Sequence, residues 1–191
     1  MANTENDPIL QKKKELRAHL KELKNGAFDQ RQAGRKISEF LLSILPSKAT
    51  VGAFWAKSDE PSLEHLMSRP GYRFALPRVE GEALGFYSFK LGQTMQPGSF
   101  GILEPDPNTS VKVELGAIDV LLVPGVGFDR KCRRLGRGKG YYDHTLVHYK
   151  GLKIGIGAAV QVLVEDLPVA PHDVAMDMVV TEQFILQRVV A

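Results

Sequence analysis

The sequence has 191 residues, of which 43% are hydrophobic. This is enough for one sizeable hydrophobic core, but a chain of this length is too short for two full domains to be expected. Its 25 Lys and Arg residues against 22 Asp and Glu leave a net charge of +3, too small for a dedicated polyelectrolyte-binding surface. Cys132 is the single cysteine, which excludes an intramolecular disulfide and a cysteine zinc cluster. We therefore expect one domain over residues 1–191.

The sequence also lacks the features of a membrane or exported protein. No run of about 18 apolar residues could span a bilayer. The N-terminal stretch MANTENDPIL is polar where a signal peptide would be apolar. We expect a cytoplasmic protein with no membrane partner.

The first half of the chain shows two helical patterns followed by strands. Leucines recur at near-helical spacing from residue 8 to about residue 23, and a second helix is predicted over about residues 29–45, where a proline ends it. The stretch ATVGAFWA predicts a buried strand. A short helix after Pro61 then precedes the strand-like segments RFALPRV and LGFYSF.

The second half of the chain predicts a parallel sheet. An ordered loop is indicated around residues 98–108, and AIDVLLVPG then contains a continuous apolar run, typical of a strand covered on both faces. A helical pattern begins near Tyr141 and a second apolar run, LKIGIGAAV, follows it, which gives a βαβ unit. We predict an α/β fold whose mostly parallel sheet is covered by helices on both faces. Ligands of such sheets bind at the carboxyl ends of the strands.

The loop inside this βαβ unit reads RRLGRGKGYYD and carries the strongest functional pattern. Gly136, Gly138 and Gly140 stand at alternate positions, so backbone N–H groups can approach an anion closely and form the concave arrangement called a nest. Arg137 and Lys139 add full charges, and the N-terminus of the following helix adds a partial one. The loop therefore predicts a phosphate site.

Two familiar phosphate motifs do not match this loop, and two other interpretations stay open. A Walker A motif needs Ser or Thr directly after Lys139, where Gly140 stands, and a dinucleotide fingerprint needs Gly or Ala in place of Tyr141. The stretch could be a flexible, solvated basic loop. It could also belong to an RNA-binding module that uses residues 130–142 with stacking tyrosines, although the rest of the chain lacks an extended basic stripe.

The same residues carry a resemblance to a known family. RLGRGKGYYD, preceded by DVLLVPGVGFD, resembles the signature of the 5-formyltetrahydrofolate cyclo-ligases, also called methenyltetrahydrofolate synthetases. KKKELRAHL, AFWAKSDE, FALPRV, GILEP and PHDVAMDMVVTE fall in the order in which that family presents similar segments. The resemblance implies a three-layer fold similar to that of sugar-phosphate isomerases and CoA-transferases. An isomerase or acyl-transfer enzyme of similar fold, which needs no ATP, is thus a further alternative.

The resemblance implies an enzyme that converts 5-formyltetrahydrofolate into 5,10-methenyltetrahydrofolate, with ATP as co-substrate and Mg²⁺ as cofactor. A formamide oxygen is a poor leaving group, and transfer of the γ-phosphoryl group would turn it into an imidate phosphate that N10 can attack. For such a transfer a protein mainly positions the two oxygens and neutralises developing charge. We expect a monomer whose partners are these small molecules, with no nucleic acid.

The family's functional positions map onto this sequence residue by residue. The implied catalytic residues are Lys139, for transition-state charge, with Arg137 and Tyr141. The implied ATP contacts are Lys13, Arg17, Arg134, Leu135, Gly136, Arg137, Gly138, Lys139, Gly140, Tyr141 and Tyr142. The implied folate contacts are Trp55, Glu60, Phe100, Arg137, Gly138, Lys139, Gly140 and Tyr141. The implied Mg²⁺ ligands are Asp143 and Asp173, with Asp177 as a nearby alternative.

Several of these positions have a simpler interpretation, and three others depart from the family's pattern. Lys13 and Arg17 would otherwise form a solvated basic face, and Asp143 would be a helix-start residue favoured by the dipole. Trp55 and Phe100 would otherwise be core aromatics. The departures are Cys132 where glycine is common, His144 where arginine is frequent, and Ala158 where a bulky aromatic often stands.

Overall fold

The computed structural model describes residues 7–189, apart from the side chain of Phe100. Within that range the helices are α1 (Pro8–Lys24), α2 (Gln30–Ile44), α3 (Glu64–Met67) and α4 (Tyr141–His148). The strands are β1 (Thr50–Gly52), β2 (Arg73–Glu80), β3 (Ala83–Phe89), β4 (Met95–Pro97), β5 (Leu103–Pro105), β6 (Lys112–Val113), β7 (Val120–Pro124), β8 (Gly127–Asp129), β9 (Arg134–Leu135), β10 (Leu152–Ile156), β11 (Val162–Leu163), β12 (Met178–Val180) and β13 (Ile185–Gln187). None of the described helices is long and apolar enough to cross a membrane.

Both N-terminal helices begin at aspartates that cap them. The Asp7 carboxylate accepts a hydrogen bond from the Ile9 backbone N–H at 2.8 Å, and Pro8 occupies the first helical position, where no N–H is needed. The Asp29 carboxylate accepts one from the Gln32 backbone at 2.6 Å. The predicted helices over residues 8–23 and 29–45 are confirmed to within about one residue at each end.

The central sheet has eight strands in the order β13-β12-β10-β7-β1-β2-β3-β6. The five strands from β12 to β2 pair in parallel, whereas β13, β3 and β6 pair antiparallel at the two ends. Strands β7 and β10 pair from Val120 with Leu152 to Pro124 with Ile156, and α4 lies between them in sequence. The predicted βαβ unit and the mostly parallel sheet are therefore confirmed.

Strand β7 shows how the layers are built, because its side chains alternate between two cores. Val120 and Leu122 join the cluster that contains residues of α2 and α3. Leu121 and Val123 join the opposite cluster, with Leu146 of α4 and residues of β8 and β12. All four are at most 1% exposed, which explains the unbroken apolar run of this strand. The sheet is thus covered on both faces, with helices contributing to each.

A smaller sheet with the strand order β11-β8-β9 positions the start of the glycine-rich loop RLGRGKG. Asp129, at the end of β8, is fully buried and accepts four hydrogen bonds at 2.6 to 3.0 Å. Its donors are the backbone N–H groups of Lys131, Arg133 and Leu167 and the Arg133 Nε. This carboxylate fixes the turn from β8 into β9, which leads directly into RLGRGKG.

Cys132 lies in that turn with a φ of +59°, a left-handed conformation that favours glycine. The chain therefore keeps the turn that a glycine would make, with a cysteine in its place. The thiol is buried, and burial raises its pKa to about 11. Cys132 is consequently a protonated packing residue near neutral pH.

Candidate active site

A cavity of about 250 Å³ opens at the carboxyl ends of the central strands. Pro124 and Gly125, at the end of β7, line its floor, and Phe54 and Trp55, which follow β1, line one side. This is the position at which ligands bind in open α/β sheets. Its wall contains most of the predicted site residues.

The glycine-rich loop forms the polar wall of the cavity. All residues from Gly136 to Asp143 line it, and Arg134 lies beneath them. Gly138 has a φ of +90° and Gly140 a φ of +79°, so both use conformations that favour glycine. Gly140 directly precedes α4 and places no side chain over its N-terminus. The loop thus presents backbone, two cations and a helix start to one space.

The facing wall is apolar, and Trp55 is its one side chain that was predicted from the sequence as a site residue. The other apolar side chains that line the cavity are Phe54, Leu76, Pro77, Val79, Leu84, Ile102 and Leu103. The Trp55 ring packs edge-on against Phe89, with ring centroids 5.9 Å apart. These residues lie in predicted strands and loops, but strand patterns do not show which side chains turn toward a cavity. The wall suits a flat, largely apolar ring.

Arg137 connects the loop to the carboxylate of Glu60, which lines the cavity, and to that of the preceding residue, Asp59. Its Nη2 lies 2.8 Å from Glu60 Oε1 and 2.6 Å from Asp59 Oδ1. Burial alone would lower the pKa of the guanidinium, but Glu60 and Asp59 outweigh it and raise the pKa above its usual value. Glu60 is buried, and its Oε2 accepts the Lys57 backbone N–H at 3.0 Å. The structure therefore brings together Glu60 and Arg137, which the sequence analysis predicted as folate contacts.

Arg134 is the buried cation of the site. Its Nη2 donates to Asp143 Oδ1 at 2.6 Å, its Nη1 donates to the Pro124 carbonyl at 3.2 Å, and its guanidinium lies 5.5 Å from the centre of the Tyr142 ring. The Arg134 Nε and the Tyr142 hydroxyl are buried without a hydrogen-bond partner among the described residues. Burial and the charge of Glu60 raise the pKa of Tyr142. Tyr142 therefore packs inward beneath the loop instead of forming an exposed stacking platform.

Three of the predicted nucleotide contacts lie behind the loop and do not line the cavity. Arg17 donates from Nε to the Gly136 carbonyl at 2.8 Å. Lys13 forms an ion pair of 2.5 Å with Asp173. The Leu135 side chain is buried in a separate core cluster, and its carbonyl accepts a hydrogen bond from the backbone. Helix α1 thus supports the loop from outside.

The two predicted metal ligands lie near the same cation. Burial lowers the pKa of Arg17, whereas Asp143 and Asp173 both raise it, which indicates that both carboxylates are close to this guanidinium. In the described part of the chain no group of three or more Asp, Glu, His or Cys could hold a metal alone. Mg²⁺ commonly takes one or two carboxylates and completes its shell with phosphate oxygens and water. The donors therefore fit Mg²⁺ when a nucleotide supplies the remaining ligands.

The alternative ligand Asp177 lies elsewhere. It precedes β12, at the amino end of a strand that runs parallel to β7. Its Oδ2 accepts the Lys153 backbone N–H at 2.8 Å and lies 3.1 Å from the Lys153 Nζ. The cavity is at the carboxyl ends of these strands. Asp177 therefore lies at the amino ends of the parallel strands, on the opposite side of the sheet from the cavity.

Glu104 also lines the cavity but was not predicted from the sequence. It is 5% exposed, and its carboxylate accepts the Ser99 and Val79 backbone N–H groups at 3.2 and 3.4 Å and lies 3.5 Å from the Arg78 guanidinium. These contacts hold the turn that includes Phe100 against β2. The Phe100 side chain, predicted to contact folate, lies outside the described part of the structure. The only feature of the sequence that indicates a role for Glu104 is that it is the single acidic residue of the segment GILEP.

Comparison with known proteins identifies the family. The family model for 5-formyltetrahydrofolate cyclo-ligases matches residues 9–182. The chain belongs to this family. The 5-formyltetrahydrofolate cyclo-ligase of Mycolicibacterium smegmatis is 34% identical over 153 residues, which cover 74% of this chain and 78% of the relative. That of Escherichia coli K12 is 32% identical over 164 residues, covering 80% and 89%.

A solved structure agrees with these sequence relatives. The 5,10-methenyltetrahydrofolate synthetase of Aquifex aeolicus matches the fold with a TM-score of 0.79 and 33% identity, over 92% of each chain. The predicted family membership and the predicted ligase class are therefore confirmed. Membership in this ligase family argues against the alternative of a sugar-phosphate isomerase or acyl-transfer enzyme of similar fold.

Proposed function

We propose that the chain catalyses the ATP-dependent cyclisation of 5-formyltetrahydrofolate to 5,10-methenyltetrahydrofolate, with release of ADP and phosphate. The observation that carries this proposal is the composition of one cavity. A cationic, glycine-rich loop faces an apolar wall that also holds the buried carboxylate of Glu60. The loop suits a phosphate chain, and the apolar wall with its carboxylate suits a pterin ring and its N–H donors.

The proposed reaction has two steps in this cavity. In the first, the formyl oxygen attacks the γ-phosphorus, an O–P bond forms, and the bond to the β-phosphate oxygen breaks to release ADP. In the second, N10 attacks the formyl carbon, the C–O bond breaks with departure of phosphate, and N10 loses its proton. Both steps develop negative charge on phosphate oxygens. Fixed cations and backbone N–H groups near those oxygens would lower both barriers.

The loop supplies the groups for this charge. We assign Lys139 to the transferring phosphoryl group and the neighbouring glycine N–H groups to the phosphate chain. Arg137 is assigned to the phosphoryl or formyl oxygen, because its planar fork suits bidentate oxygen contacts. Tyr141, which begins α4 and lines the cavity, completes the catalytic set.

The assignments of ATP contacts and Mg²⁺ ligands require Asp143 and Asp173 to exchange their present ion-pair partners for the metal. Mg²⁺ would neutralise charge on the phosphate chain, and Asp143 and Asp173 are the residues that would hold it. Those carboxylates now pair with Arg134 and Lys13 at 2.6 and 2.5 Å. If the two carboxylates held Mg²⁺, Arg134 and Lys13 would become available to phosphate oxygens, as the assigned ATP contacts require.

The remaining expectations follow from the site as proposals. The monomer and the single domain over residues 1–191, both expected from the sequence, stay proposals. The cytoplasmic location expected from the sequence stays a prediction.

The test of this function is the dependence of ATP consumption on folate. The protein is incubated with ATP and Mg²⁺, without and then with 5-formyltetrahydrofolate, and ADP is measured. We expect ADP release only with the folate, in a one-to-one ratio to methenyl product. An isomerase or acyl-transfer enzyme would release no ADP in either mixture, and that result would contradict the proposal.

A further inference from the structure

The Arg137 guanidinium contacts two consecutive carboxylates, and its Nε donates to Glu60 Oε1 at 3.3 Å. Its Nη2 lies 2.6 Å from Asp59 Oδ1 and 2.8 Å from Glu60 Oε1. Glu60 is buried, whereas the Asp59 side chain is 39% exposed. Arg137 therefore has a second anionic partner beside the one that the proposed function assigns to folate.

Asp59 is itself held from behind by Lys24, the last residue of α1. The Lys24 Nζ lies 2.7 Å from Asp59 Oδ2 and donates to the Asp59 carbonyl at 3.2 Å. Only 4% of the Lys24 side chain is exposed, so this ammonium is buried against Asp59. Burial raises the pKa of Asp59, but the contacts with Lys24 and Arg137 outweigh it and lower the pKa to about 2. Asp59 is therefore ionised near neutral pH and has one oxygen for each cation.

Glu60 has no carboxylate oxygen without a partner in this arrangement. Its Oε1 accepts from Arg137, and its Oε2 accepts the Lys57 backbone N–H at 3.0 Å. A pterin that pairs with Glu60 must therefore share an already occupied oxygen through its second lone pair, or displace Arg137 from Oε1. Displacement of Arg137 from Glu60 is easier when Asp59 keeps the guanidinium, because the ion pair with Asp59 holds this 41% exposed side chain at the cavity.

We propose that Asp59, fixed by Lys24, is a positioning residue that retains Arg137 at the cavity while Glu60 exchanges Arg137 for the folate ring. This inference rests on the proposed function, since it assumes that Glu60 binds folate. It assigns a role to two residues, Asp59 and Lys24, that the family resemblance did not single out. Because Asp59 acts on folate only through Arg137, the effects of these two residues on folate binding are coupled.

The coupling predicts an unusual pattern among variants. In Asp59→Asn, Arg137 rests on Glu60 alone, so folate binding should weaken about fivefold, the order expected for part of one charge-assisted hydrogen bond. In Arg137→Ala, Glu60 is already released from its competitor. The added Asp59→Asn change should then have no further effect on folate binding. A purely structural role for Asp59 would weaken binding by the same factor in both backgrounds.

Trp55 provides a direct measurement of folate binding. It is the single tryptophan of the sequence and lines the cavity, so bound 5-formyltetrahydrofolate should quench its fluorescence. Dissociation constants without ATP are measured for the parent, Asp59→Asn, Arg137→Ala and the double variant. Glu39→Gln, which removes one partner of the exposed Arg35–Glu39 ion pair on α2, serves as the charge-removal control and should bind like the parent.

Lys24 gives a second, independent pair of variants. Lys24→Met keeps the volume but removes the charge that fixes Asp59, and it should weaken folate binding as Asp59→Asn does, whereas Lys24→Arg should retain most of it. Parental folate binding in both Asp59→Asn and Lys24→Met would overturn the inference. So would an effect of Asp59→Asn that persists in the Arg137→Ala background. A parent that binds folate but forms no methenyl product would instead contradict the proposed function, so the two failures are distinguishable.

Discussion

Arg137 and Glu60 lie 77 residues apart in the chain, yet their side chains form an ion pair of 2.8 Å across the cavity. Arg137 belongs to the glycine-rich loop, and Glu60 to the segment that follows β1. The pair therefore joins the proposed phosphate site to the proposed pterin site. This contact makes the two sites parts of one cavity, in which a phosphoryl group and a formyl oxygen can meet.

The first prediction concerns substrate recognition by Glu60. Glu60→Gln should raise the folate KM about tenfold and the ATP KM much less, because the lost acceptor belongs to the folate site and a hydrogen bond to a charged group contributes roughly 1.5 to 3 kcal/mol. Steady-state kinetics with each substrate varied in turn measures both constants. An equal rise in both would indicate a structural role for Glu60.

The second prediction concerns the backbone of the loop. Gly138→Ala should weaken ATP binding several-fold, since a side chain at a φ of +90° costs on the order of 1 kcal/mol and its Cβ would lie 3.3 Å from the Arg17 guanidinium carbon. Gly26→Ala is the matched control, because Gly26 has a φ of +70° and open space around it. Both variants should lose similar unfolding free energy, but only Gly138→Ala should change the ATP dissociation constant. Unchanged ATP binding in Gly138→Ala would argue against the nest.

The third prediction concerns the proposed metal ligands. Asp143→Asn should raise the Mg²⁺ concentration needed for half-maximal activity, and added Mg²⁺ should partly restore the rate. Asp177→Asn is the control, because the structure places Asp177 at the opposite edge of the sheet. It should leave the Mg²⁺ dependence unchanged even if it lowers the melting temperature. The metal assignment would fail if Asp143→Asn kept the parental Mg²⁺ dependence.

Much of this fold follows from sequence patterns because the long elements repeat with a clear period. Helices α1 and α2 have Asp caps and leucine or isoleucine stripes, and β7 is an unbroken apolar run. The small sheets were missed. Strands β8, β9 and β11 have two or three residues each, and the predicted loop around residues 98–108 contains β5, which pairs with β4. Elements this short show no period, so only their hydrogen-bonded pairing with another strand defines them.

The lining of the cavity was predictable where its residues are continuous in sequence and unpredictable where they are not. The glycine-rich loop is one uninterrupted motif, and its spacing alone indicates a phosphate site. Glu104 and the apolar wall come from strands that are separated in sequence, and only the packing of β2 against β5 brings them to the cavity. The ion pairs of Asp59 with Lys24 and Arg137 likewise depend on long-range folding. Local patterns carry no information on such contacts.

The fourth prediction concerns Lys139. If Lys139 stabilises charge on the moving phosphoryl group while glycine N–H groups bind much of the nucleotide, Lys139→Ala should lower kcat by on the order of 10² and weaken ATP binding far less. Added Mg²⁺ should not restore this variant, in contrast to Asp143→Asn. The comparison is made after each variant is shown to melt like the parent. Near-parental turnover in Lys139→Ala would remove its catalytic assignment.

The central claim is that one cavity couples ATP to folate cyclisation, and the absorbance of the methenyl product tests it most directly. The parent protein is mixed with ATP, Mg²⁺ and 5-formyltetrahydrofolate, and product formation is followed over time beside a reaction that lacks ATP. We predict methenyl product only with ATP, formed in a one-to-one ratio to ADP. Product that forms equally well without ATP, or no product from well-folded protein with both substrates, would contradict the account.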